Sequence, residues 1–68
     1  MKEKFNPEER RIITTLYAAH KPLTTLAVAE HAEMSWPTAK KYLTRLNRNG
    51  YVSRKKYGKS MYWWLRVC

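Results

Sequence analysis

Cysteine is almost missing from this chain: Cys68, the last of 68 residues, is the only one. A disulfide scaffold or a zinc ribbon within one chain needs more thiols than that, so both are excluded. A lone thiol suits the reducing cytoplasm. No apolar run approaches the roughly 18 residues that a membrane span requires, and the polar start Met1–Phe5 does not read as a secretory signal. Together these point to an intracellular, cytoplasmic protein. There is no glycine-rich phosphate loop, and the serines, histidines and acids show no nucleophile–base spacing. An enzyme is therefore not expected. His20 and His31 read as end-of-helix or surface residues, so no metal, cofactor or small-molecule ligand is expected either. No internal repeat or low-complexity segment is visible. The most informative gap is in acid, since every acidic residue lies at or before Glu33.

What is present is cationic. Fourteen Lys and Arg against five acids give a formal net charge of +9, which points to a polyanionic partner, nucleic acid first and an acidic membrane surface second. A hydrophobic fraction of 44% with three tryptophans argues that the chain folds. Its length allows one small domain, residues 1–68, and leaves no room for a second core.

The chain is organised around the stretch from Met34 to Val52. Ser35 can cap a helix by accepting a hydrogen bond from a first-turn amide. Pro37 follows in the first turn, where its missing N–H costs nothing. Ala39, Leu43 and Leu46 recur at i, i+4 and i+7, one stripe of an α-helix. Pro37, Lys40, Lys41, Thr44 and Arg48 point roughly the other way, with Arg45 on their flank. Gly50 can take the left-handed conformation that ends a helix. The spacing thus predicts an amphipathic helix over 35–49 whose outer face carries Lys, Arg and Thr but no acid, as suits a helix lying in a DNA major groove.

Upstream, Asn6-Pro7-Glu8-Glu9 reads as a helix start, with Asn6 as cap and the acids at the positive end of the macrodipole. Ile12, Ile13, Leu16, Tyr17 and Ala19 trace its apolar face to about His20, and Lys21-Pro22 ends it. Leu23-Thr24 is a brief extended piece able to pair as a minor strand. Thr25 is the expected cap of a second, short helix over Leu26–Ala32, with Leu26, Ala29 and Ala32 facing in. Glu33-Met34-Ser35 is a tight turn in which Met34 plugs the core, so the two helices form a helix-turn-helix.

After Gly50 the periodicity changes. Tyr51–Lys56 and Ser60–Val67 are rich in strand-favouring residues and flank Tyr57-Gly58-Lys59, a glycine-bearing turn, which predicts a hairpin. Alternation turns Met61, Trp63 and Leu65 to the helices and Tyr62, Trp64 and Arg66 away from them. The fold class is mainly α with a small β hairpin: helix, short strand, helix, turn, helix, then hairpin.

That order is the one found in the winged helix-turn-helix. Leu26-Ala27, Met34-Ser35, Leu43-x-x-Leu46-x-x-x-Gly50-Tyr51-Val52 and Tyr62-Trp63-Trp64-Leu65 carry the likeness. From Leu26 to Leu65 the chain resembles small winged-helix transcriptional regulators of bacteria and archaea, the broad group of ArsR-, MarR- and Lrp-like repressors. The metal-binding cysteine and histidine pairs of the metal sensors, the long dimerisation helices and any appended ligand-binding domain have no counterpart here. The resemblance therefore implies a bare DNA-binding module. Winged helices that bind left-handed Z-form nucleic acid are also similar in size and share a tryptophan in the last strand, where Trp63 falls. Their recognition-helix asparagine and tyrosine positions correspond here to Lys40 and Thr44.

The expected partner is double-stranded DNA, contacted by Ser35, Trp36, Pro37, Thr38, Lys40, Lys41, Thr44, Arg45 and Arg48 of the helix and by Arg54, Lys55, Lys56, Tyr57 and Lys59 of a basic wing over 54–60. Phosphate contacts would set position and the helix residues would read base edges. The wing cations also suit gatekeepers on an edge strand. Tyr57 is placed equally well to stack on a sugar or to fill the turn. Trp36 is placed to pack back on the second helix or to touch a thymine methyl. A homodimer is expected, because one small module covers little DNA. It would form through Tyr62 and Trp64 beside Val67, or through the outer side of the first helix. Two other functions fit the same fold, a protein-interaction module and an RNA-binding winged helix.

Overall fold

The computed structural model describes residues 5–66. Their order is α1 (Pro7–Ala19), β1 (Leu23–Thr24), α2 (Thr25–His31), α3 (Trp36–Arg48), β2 (Val52–Tyr57) and β3 (Ser60–Leu65). This is a winged helix-turn-helix. The lead-in Met1–Lys4, the expected end of the last strand at Val67, and Cys68 lie outside the described residues.

Local chemistry starts and stops each helix. At α1, the Asn6 Oδ1 accepts from the Glu9 amide at 2.8 Å while the Glu9 Oε1 accepts from the Asn6 amide at 3.1 Å, a reciprocal capping box. His20 ends that helix in the left-handed region, with φ 57°. At α2, Thr24 and not Thr25 is the cap, its Oγ1 accepting from the Ala27 amide at 3.1 Å. Thr25 is displaced from that role because its hydroxyl is needed elsewhere: it accepts from the Trp63 Nε1 at 2.8 Å in the buried core.

The ends of α2 and α3 are built alike. The Glu33 and Met34 amides donate to the carbonyls of Glu30 and Ala29, and the Gly50 and Tyr51 amides donate to those of Asn47 and Leu46. Each is the paired bonding of a Schellman stop, with its left-handed residue at Glu33 (φ 58°) in one and Gly50 (φ 86°) in the other. The first of these stops forms the turn of the helix-turn-helix, and Met34 packs against the core there, as expected.

A three-stranded antiparallel sheet in the order β1-β3-β2 backs the helices. Leu23 pairs with Trp63 and Val52 with Leu65. Gly58 has φ 60° in the two-residue connection of the hairpin, the left-handed first position that a type II′ turn requires. Ile12, Leu16, Leu23, Val28, Ala32, Leu43, Leu46, Val52 and Trp63 form one buried cluster. Among the described residues no buried side-chain nitrogen or oxygen lacks a hydrogen-bond partner.

Two residues expected inside are outside. Tyr17 is 70% exposed, since Ile12 and Leu16 already fill the inner stripe and Tyr17 falls on its rim. Leu26 is 55% exposed, because the short α2 buries Thr25, Val28 and Ala29 instead. Phe5, assigned to a charged lead-in, is half-buried and meets Tyr51 edge-on with ring centroids 4.8 Å apart.

Candidate nucleic-acid interface

The hairpin and α3 share one side of the molecule. Ala39, Leu43 and Leu46 bury the inner stripe of α3, so at about 100° per residue Pro37, Lys41, Thr44 and Arg48 form its outward stripe. Pro37, Lys41 and Arg48 are exposed and Thr44 is half-buried. At the head of the helix the Ser35 Oγ accepts from the Thr38 amide at 3.4 Å and donates to the Thr38 Oγ1 at 2.8 Å. Those two hydroxyls are thus engaged with each other in the first turn.

Lys40 and Trp36 lie on the hairpin side of α3. The Lys40 Nζ sits 5.2 Å from the centre of the Trp36 ring, and Trp36 is 45% exposed. Both line a cleft of about 460 Å³ whose other walls include Leu26 of α2 and Arg54, Lys56, Lys59, Met61 and Trp63 of the hairpin. Alternation explains this membership. Val52 is buried, so Arg54 and Lys56 share its sheet face, on the helix side. The Arg54 guanidinium carbon stands 5.8 Å from the Trp63 ring centre. Four cations, Lys40, Arg54, Lys56 and Lys59, therefore converge around one cleft with an exposed tryptophan at its edge.

The other expected contact residues are elsewhere. Lys55 pairs across the strands with Tyr62, and its Nζ lies 5.4 Å from the Tyr57 ring centre. Lys55 and Tyr57 thus belong to the opposite sheet face from Arg54 and Lys56. Arg45, on the far flank of α3, reaches back to α1, with its Nε 3.6 Å from the Glu9 Oε2. Glu9 is buried and does two jobs, capping α1 with one oxygen and holding α3 with the other. Lys41 leans over Tyr42, with its Nζ 5.5 Å from the ring centre.

Sequence reasoning missed Asn47. Its Nδ2 donates to the Val52 carbonyl at 2.9 Å and ties α3 to the first residue of the hairpin. Its signal was an amide side chain near the end of the helix, close to the buried stripe. Among the described residues no three His, Cys, Asp or Glu side chains are grouped to hold a metal. No helix there is long and apolar enough to cross a membrane.

Residues 8–67 match the family model of FaeA-like proteins. The chain belongs to that family. This FaeA-like chain is similar in fold to PcaV, a transcriptional regulator from Streptomyces coelicolor, with a TM-score of 0.80 or more: 0.86 at 19% identity, over 96% of this chain and 48% of that one. It is similar to NadR, solved in complex with 4-hydroxyphenylacetate, with a TM-score of 0.83 at 26% identity, over 93% of this chain and 46% of that one. The FaeA-like chain thus spans about half the length of either protein. It is also similar to the Zalpha domain of Carassius auratus PKZ, solved in complex with Z-DNA, with a TM-score of 0.77 at 25% identity, over 87% of this chain and 92% of that one. No curated protein matches the sequence.

Proposed function

We propose that this FaeA-like chain is a sequence-specific double-stranded DNA-binding protein that acts in transcription regulation. The observation that carries the reading is the cleft between α3 and the hairpin, where Lys40, Arg54, Lys56 and Lys59 converge with no acid among the lining residues. A purely solvated surface interleaves charge signs, whereas here every residue after Glu33 is neutral or basic. The fold shared with transcriptional regulators supports the same reading.

In this proposal α3 enters the major groove. Pro37, Lys41, Thr44 and Arg48 face the bases, and Lys40 works from the hairpin side. Arg54, Lys56 and Lys59 meet phosphates, which position the module without reading sequence. Trp36 lies at the boundary and offers its ring to a sugar or a thymine methyl. Ser35 and Thr38 act by setting the first turn of the helix. Arg45 holds α3 against α1, and Lys55 and Tyr57, on the opposite sheet face, stay outside the contact. One domain over residues 1–68, working in the cytoplasm, fits this role.

Two copies on an inverted repeat, with half-sites about 10 base pairs apart, would double the sequence read. Of the two dimer surfaces considered, the Tyr62–Trp64 face has Lys21 and Lys55 at its margins, and a two-fold axis there would oppose like charges. The outer side of α1 carries Arg10 and Arg11, so like charges do not choose between the two surfaces.

Selection of bound sequences from random duplex DNA tests the proposal, followed by affinity measurements on the selected duplex, an RNA duplex of the same sequence and a Z-form duplex. A recovered motif bound more tightly than the RNA and Z-form duplexes is expected. No enriched motif, or equal affinity for RNA, would overturn it.

A further inference from the structure

On the face of the hairpin turned away from the cationic cleft lies a second concavity, of about 860 Å³. Tyr62 and Trp64 alternate with the buried Trp63 and so project from the outer side of β3. The Tyr57 ring meets Tyr62 edge-on, with centroids 5.7 Å apart. Leu16 and the exposed Tyr17 from the end of α1 form the opposite wall, and Lys21-Pro22 closes one end. The α3–hairpin interface does not use these side chains.

We propose that this groove docks an acidic segment of a partner protein, one that anchors aromatic or aliphatic side chains between α1 and the sheet. Charge selects the occupant. Lys21 lines the groove, Lys55 borders Tyr57 and Tyr62, and no acid is among the lining residues. Glu8 and Glu9 sit at the other end of α1, roughly 10–14 Å from Leu16 and Tyr17 at 1.5 Å per residue. Glu33 lines a different hollow, with Arg10 and Arg11. A second copy of this chain would bring Lys21 and Lys55 against their equals, a juxtaposition that interfaces avoid. A nucleic-acid strand wants parallel ring platforms and a row of cations. Here the Tyr57 and Tyr62 planes cross at 73°, and the row of cations is on the other face. The groove is also open along one side, unlike the enclosed pockets that bury most of a small ligand. Exposed Tyr beside half-buried Tyr and Trp is instead the composition of protein hot spots.

The inference is independent of the DNA reading, since the two faces share no residue in its test. The whole chain serves as bait for a random-peptide display library, and a selected peptide is labelled and titrated against the chain and its variants. Selected peptides are expected to carry Asp or Glu flanking Trp, Phe or Leu. Tyr17→Ala and Lys21→Glu should each weaken binding, by about tenfold for a true anchor. Because the Tyr17 side chain is largely exposed, an unchanged thermal midpoint separates lost docking from lost fold. Failure to select any peptide, selection of basic or uncharged peptides, or indifference to both substitutions would overturn the proposal. So would a self-association seen by sedimentation that Tyr17→Ala dissolves, or an oligothymidine that displaces the peptide.

Discussion

The two faces of one hairpin carry opposite chemistry, although they are separated only by the thickness of a strand. The face turned to α3 bears Arg54 and Lys56 and continues into Lys40 and Lys59. The other bears Tyr62, Trp64 and Tyr57 and continues into Leu16 and Tyr17 of α1. Both are anchored by the same residue, Trp63, whose ring is buried between β3 and the helices and whose indole N–H is held by Thr25. A period-two strand can therefore serve two surfaces from a single registration. A slip by one residue would exchange the chemistry of the two faces.

Five substitutions test how far the faces are coupled, in descending size. Leu43→Ala truncates a fully buried core residue and should cost about 2–5 kcal/mol, removing both surfaces at once in denaturant unfolding. If one surface outlived that loss, the faces would not share a core. Thr25→Val leaves the buried Trp63 N–H without its acceptor, for about 1–3 kcal/mol, and should loosen both faces together. Lys40→Ala and Lys41→Ala should leave the thermal midpoint unchanged. Each should weaken binding to the preferred duplex by about 1–3 kcal/mol if it contacts a base edge directly, with no effect on the aromatic face. Glu33→Gly relieves a left-handed non-glycine residue at the end of α2 and should raise stability by about 0.5–1 kcal/mol. The same change at the matching stop is already present as Gly50, so a loss of stability would show that Glu33 is held there by contacts of its own.

Locally encoded features were legible in the sequence. The caps Asn6 and Ser35, the stop at Gly50, the Gly58 turn and the inward stripe Ala39, Leu43, Leu46 all depend on neighbours a few residues away. All are found as expected. Thr24 and Thr25 were not separable by that means, because a bond from Trp63, 38 residues on, decides which of them caps. The exposure of Leu26 follows from the shortness of α2, in which Val28 and Ala29 complete the buried side. Arg45 belonged to the basic face by spacing alone, and its contact with Glu9 joins two helices far apart in sequence. For the candidate interface, composition disclosed the cations but not their grouping. Counting by two from the buried Val52 separates Arg54 and Lys56 from Lys55, yet only the packing of α3 against the hairpin brings Lys40 and Trp36 to the same cleft.

The central claim is that the face toward α3 meets DNA phosphates and the aromatic face does not. Affinity for a duplex measured across a salt series tests it most directly, comparing the native chain with the Arg54→Gln, Lys56→Gln, Lys59→Gln triple variant and with Tyr17→Ala. With about five or six phosphate contacts at ~0.9 each, log K should fall against log salt with a slope of roughly −5. The triple variant should flatten that slope by about 2.7 on every sequence, and Tyr17→Ala should leave it unchanged. A native slope near zero, or a triple variant with the native slope, would contradict the claim.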